Sequence, residues 1–66
     1  MRGVIRVPLA PIRSAPNDRA EMVSQALFGE LLTLELLPSS SLWVKVTLDF
    51  DGYEGYMDFR MAETDL

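Results

Sequence analysis

Apolar and polar positions alternate most regularly over two stretches of the chain. Leu32, Leu34 and Leu36 fall on one side of Thr33 and Glu35, and Val44, Val46 and Leu48 alternate with Trp43, Lys45 and Thr47. A period of two is the signature of a strand with one buried face. Pro38-Ser39-Ser40-Ser41 lies between them as a turn-forming cluster, so the pair is predicted to be a β-hairpin. Gly3 to Val7 is rich in β-branched residues and predicts an earlier strand, closed by Pro8. Asp49-Phe50-Asp51-Gly52 reads as a second turn, and Tyr53 to Met57 as another short strand. Gly55 interrupts that strand, which marks a bulge or the close approach of another backbone.

Two segments resist this period. From Leu9 to Ala20 the chain carries Pro11, Pro16 and the pair Asn17-Asp18, and reads as a long irregular loop. Long ordered loops in small domains commonly bind something. Glu21 to Phe28 is open between two readings. Ala20, Val23, Ala26 and Leu27 fall at helical spacing among good helix formers, whereas the surrounding pattern is that of strands. Gly29 ends the segment in either case. Closely spaced strands with turns between them predict a small all-β barrel or sandwich, and a helical Glu21–Phe28 would instead make a helix-plus-hairpin domain.

Composition narrows the function. Sixty-six residues make one domain, and one this small is marginally stable on its core alone. The chain has no cysteine and no histidine, so the usual nucleophile–base pairs, zinc sites and disulfides are excluded, and no cofactor is expected. Ten acids against six bases give a formal charge of −4, which disfavours a nucleic-acid partner. Arg2, Arg6, Arg13 and Arg19 lie early, while Asp49, Asp51, Glu54, Asp58, Glu63 and Asp65 crowd the last third. This is either a solvated surface or an acidic rim that receives a cation. No signal-peptide core and no membrane-length apolar run is present, so a complete chain is expected in the cytoplasm without a membrane partner, and an excised domain has no readable address.

Catalysis has little to work with. Asp49 and Asp51 are the one close carboxylate pair, and turn chemistry accounts for them beside Gly52. Binding remains. With Val44 and Val46 inward, Trp43 points outward as a recognition platform, or packs on the far side of the hairpin or under the long loop. Tyr53 and Tyr56 are expected on opposite faces, one of them in the core, and Tyr53 beside Asp51 has a hydroxyl to offer a polar ligand. Arg13 and Glu21 are further candidates, with a loop-stabilising salt bridge between them as the plainer expectation.

The run Val7-Pro8-Leu9-Ala10-Pro11-Ile12-Arg13-Ser14-Ala15-Pro16, then Arg19-Ala20-Glu21-Met22-Val23-Ser24-Gln25-Ala26-Leu27-Phe28-Gly29-Glu30, resembles the amino-terminal bacterial SH3-like domain of NlpC-type cell-wall cysteine peptidases. Trp43-Val44-Lys45-Val46 and Asp51-Gly52-Tyr53-Glu54-Gly55-Tyr56 continue the resemblance, which spans residues 4–58. It implies an all-β fold, a small SH3-like barrel of about five short strands with a long RT-type loop. Glu21–Phe28 would then be strand and loop. It also implies a non-catalytic accessory role, since the catalytic cysteine and histidines of that family sit in a following peptidase domain. The family cleaves γ-D-glutamyl bonds of murein peptides, and its SH3-like domain helps to shape the substrate cleft. The implied partners are a murein peptide or the adjoining peptidase domain. The candidate ligand-binding residues are Trp43, Asp51, Tyr53, Glu54 and Arg13, with Asp51 and Glu54 placed to meet a peptide amine. A protein–protein module that binds an extended peptide is the alternative. Two departures bear on this: Tyr56 stands where the family has tryptophan, and the chain ends soon after Asp58, where the family continues. A missing or short last strand would leave a sheet edge open to a second copy of the chain.

Overall fold

In the computed structural model, which describes residues 1–64, the two alternating stretches form strands β4 (Leu31–Leu36) and β5 (Trp43–Leu48). They pair antiparallel with Leu34 opposite Val46 and Leu36 opposite Val44. Ser40 organises the connection. Its Oγ accepts from the Leu42 and Trp43 amides at 3.2 and 3.0 Å and so starts β5. The next turn carries the chain into β6 (Glu54–Asp58), which pairs with β5. Gly52 takes a φ of +72°, and its amide donates to the Leu48 carbonyl at 2.8 Å. The strand therefore starts after Tyr53 rather than at it.

Strand β1 (Arg2–Ile5) pairs with β4, ending two residues before the expected Val7. Strands β2 (Leu9–Arg13) and β3 (Met22–Leu27) pair with each other. The first of these corrects the loop expected over Leu9–Ala20: its first five residues are a strand, and the irregular part is 14–21. Pro11 is tolerated because β2 meets its second neighbour, β6, only at Arg13. The second settles the helix-or-strand question over Glu21–Phe28: Met22–Leu27 is strand, and Phe28 lies in the turn that follows. Ala26 opposes Ala10 in the core, while Gln25 and Leu27 point out, so the period along the segment is two. A 3-10 turn at Phe59–Met61 leads to β7 (Ala62–Glu63), two residues paired with β1. The last strand is thus present and short.

The seven strands of the described residues form one antiparallel sheet in the order β3-β2-β6-β5-β4-β1-β7. It has more strands than the five expected, because the long loop is framed by strands of its own. Among the described residues no second layer covers this sheet, yet Ile5, Ile12, Leu32, Leu34, Val46 and Met57 are at most 1% exposed. One face can be so buried only if the sheet rolls over it. The extents of 25 × 22 × 19 Å fit that shape. The fold is SH3-like and strongly bent, but hydrogen bonds do not close it into a barrel: β3 and β7 are its edges.

Gly55 makes the roll possible. It faces the core opposite Val46, in a ladder to β5 that keeps its register. A Cβ there would collide with Cγ2 of Ile12 and come within 3.1 Å of the Arg13 carbonyl. Of the two roles open to this glycine, close approach is the one it plays. The bulge of the sheet lies elsewhere, at Ile12/Arg13 against β3.

Candidate functional site

The outer face of the sheet is read off the register. Trp43, Lys45 and Thr47 of β5 stand opposite Asp58, Tyr56 and Glu54 of β6. Arg13 of β2 stands opposite Tyr56 on the other side, and Glu35 of β4 opposite Lys45. This gives a row Arg13–Tyr56–Lys45–Glu35, with Trp43 diagonal to Tyr56 and within side-chain reach of it. Trp43, Tyr56, Lys45 and Arg13 are all half-buried. Trp43 is therefore on the outward face, as alternation requires. Neither tyrosine is in the core. Tyr56 lies on the outer face because Gly55 and Met57 take the inward positions, and Tyr53 is exposed in the turn.

Arg13 does not pair with Glu21 in a salt bridge. Its Nη1 donates to the Ala20 carbonyl at 3.0 Å, and the Ser14 amide donates to the Glu21 carbonyl at 2.9 Å. Together these close the neck of the 14–21 loop. Inside the loop the Arg19 amide donates to Asn17 Oδ1 at 3.0 Å, the turn chemistry expected of Asn-Asp.

Asp51, Tyr53 and Glu54 gather at the opposite end of β5. Trp43 and Thr47 mark those ends, so the tryptophan and the acidic turn are about 13 Å apart along the strand. The five candidate residues are thus two groups: Trp43 and Arg13, joined through Tyr56, and Asp51, Tyr53 and Glu54. The acids of the second group are partly engaged. Asp51 Oδ1 accepts from the Tyr53 amide at 3.0 Å, and Glu54 lies 3.8 Å from Lys45 Nζ across the ladder. Asp49 is fully engaged by Arg2, whose Nη1 donates to Oδ1 at 2.7 Å while Nη2 reaches Oδ2. Those hydrogen bonds hold the Asp49 carboxyl below the usual carboxylate range. Asp58 is likewise held low, first by the Arg60 side chain and further by the Arg60 amide. Asp65 lies outside the described residues.

Sequence reasoning missed a third feature. Leu27, Phe28, Gly29, Glu30, Leu31, Asp49 and Phe50 line an open groove of about 660 Å³ where the β3–β4 and β5–β6 turns meet. Phe28 is 72% and Phe50 90% exposed. The available signal was a phenylalanine in each turn, where turn chemistry asks for none. No cluster of three or more candidate metal ligands occurs among the described residues, and no helix there is long and apolar enough to cross a membrane.

The rolled sheet, the loop framed by β2 and β3 and the outer aromatic row define an SH3-like domain. The family model for the bacterial dipeptidyl-peptidase SH3 domain matches residues 12–59, and the chain belongs to that family. Comparison with curated proteins and with solved structures gave no match.

Proposed function

We propose that this chain is the non-catalytic accessory domain of a murein-peptide endopeptidase of the NlpC type, one that cleaves a γ-D-glutamyl bond. Its role is to complete the substrate cleft of an adjoining peptidase domain or to hold a cell-wall peptide near it. The observation that carries this reading is the family match over 12–59 in a chain without cysteine or histidine. Family membership supports a peptidase context, and the composition leaves the chemistry to another domain.

The ligand contact on this reading is the exposed turn Asp51–Glu54. Asp51 keeps one carboxylate oxygen free of the Tyr53 amide, and Glu54 has only a long contact to Lys45, so both can accept from a peptide ammonium group. The test is titration of the isotope-labelled chain with a murein tripeptide or tetrapeptide, followed by NMR. Saturable shifts at Asp51, Tyr53 and Glu54 are expected. A flat response through millimolar peptide removes direct ligand contact. Shifts confined to the Trp43 indole move the contact to the outer aromatic row.

A further inference from the structure

The groove between the β3–β4 and β5–β6 turns is unexplained by the fold and by the proposed role. Phe28 and Phe50 are the most exposed large apolar side chains among the described residues. Neither is needed for the turn that carries it. Gly29, with a φ of +89°, turns the first, and Gly52 with the Asp51 carboxylate turns the second. A soluble domain gains nothing in folding from such residues and risks aggregation by showing them together. Leu27 and Leu31 extend the same apolar wall.

Size and charge select the occupant. The volume of about 660 Å³ falls within the ~300–1,000 Å³ of sites that enclose a small group. Its seven lining residues fall well short of the roughly 20–30 per side of a stable protein interface. The patch is thus too small to hold a second copy of the chain by itself, but it suits one or two bulky side chains of a peptide segment. The rim is acidic. Glu30 and Asp49 line the groove and Asp51 follows Phe50. Arg2, which reaches this end, is already committed to Asp49 through two hydrogen bonds. Glu30 spends one oxygen on the Leu27 amide at 2.6 Å and leaves the other for a ligand.

We infer that this groove is a docking site for a short protein segment that presents a bulky apolar side chain flanked by lysine or arginine. The apolar side chain lies between Phe28, Leu31 and Phe50, and the flanking cation meets Glu30 and Asp51. The site borders the proposed murein-peptide contact at Asp51, but its apolar contacts at Phe28, Leu31 and Phe50 do not depend on that reading.

The test uses the whole 66-residue chain and two acetylated, amidated tetrapeptides, Lys-Trp-Leu-Lys and Glu-Trp-Leu-Glu. The basic peptide is expected to shift the amides of Phe28, Leu31 and Phe50 with saturation. The acidic peptide should bind at least about tenfold more weakly, and the difference should shrink as salt is added. Phe50→Ser should abolish binding of the basic peptide with an unchanged circular-dichroism spectrum, since the side chain is almost wholly exposed. Absence of shifts, equal affinity for the two peptides, or full binding by Phe50→Ser overturns the inference. So does a concentration-dependent dimer in sedimentation that Phe50→Ser dissolves, because the groove would then hold a second copy. Murein peptide binding is read at Tyr53 and Glu54, so either result can fail while the other stands.

Discussion

At the scale of single residues, the fold turns on what is missing at Gly55. Removing the side chain lets β6 lie against Ile12 and the Arg13 carbonyl, and that contact bends the sheet onto its own core. Gly55→Ala forces an atom into a space already filled by a buried isoleucine and by backbone, neither of which can swing away. A loss of about 2 kcal/mol or more is expected, at the upper end for an overpacked core. Gly52→Ala should cost about 1 kcal/mol through its left-handed backbone alone, because a Cβ there meets no atom within 4 Å. Urea unfolding of both variants checks the order, and a milder effect at Gly55 than at Gly52 would contradict the close approach.

The two depressed carboxyls give a second residue-scale prediction. Asp49 and Asp58 have folded pKa values below their unfolded values, held there chiefly by the side chains of Arg2 and Arg60. Their contribution is complete above the unfolded carboxylate pKa of about 4 and is lost as pH falls through the lower folded values. The melting temperature should therefore be flat from pH 7 to about 5 and decline below about 4. The Arg2–Asp49 pair is open to solvent, and Arg60 is exposed although the Asp58 side chain is mostly covered, so the effect is small and salt-sensitive. Arg2→Gln should flatten part of the decline. A decline left unchanged by Arg2→Gln and by salt would assign it to other groups.

At the scale of elements, the hairpin was legible because its alternation is uninterrupted, and its register follows the sequence from Leu32–Leu48 to Leu36–Val44. Alternation gave the face of each side chain but not how far the core extends. Leu36 shares the inward face with Leu32 and Leu34, yet it overhangs the end of the sheet and is 60% exposed. Leu34→Ala is expected to cost about 2–5 kcal/mol, enough to unfold much of so small a domain. Leu36→Ala should change stability by less than about 0.5 kcal/mol. Thermal melts of the two variants separate these outcomes, and similar costs would mean that Leu36 is covered in solution. Strand β2 was illegible for a different reason. Its Pro11, between Pro8 and Pro16, reads as a loop signal, and only the one-sided pairing of β2, a tertiary fact, makes it acceptable in a strand. The candidate site divides the same way. Local spacing brought Asp51, Tyr53 and Glu54 together, whereas the Arg13–Tyr56–Lys45 row and the groove at Phe28 and Phe50 arise from segments far apart in sequence.

For the whole molecule, the open hydrogen-bond circuit decides where stability resides. The central strands β6, β5 and β4 each have a neighbour on both sides and share the core of Leu34, Val44, Val46 and Met57. The edges are weak by construction. Strand β7 is two residues long, and β3 is bulged against its one partner, with the Leu27 amide capped by Glu30. Short, bulged and capped edges limit unwanted pairing between copies, but they also fray first. Native-state hydrogen exchange should therefore rank the amides by position in the sheet. Val46 should exchange only through global unfolding, with a urea dependence equal to that of the whole domain. Gln25 and Glu63 should exchange through local opening with almost no urea dependence. On the proposed accessory role, adding a peptidase domain of that type should slow exchange in the turns it covers, and those turns would then identify the docked face. If β3 exchanges as slowly as β5 in the isolated chain, its outer edge is paired in solution, either with β7 or with a second molecule. A dilution series distinguishes these two cases, because only the second depends on protein concentration.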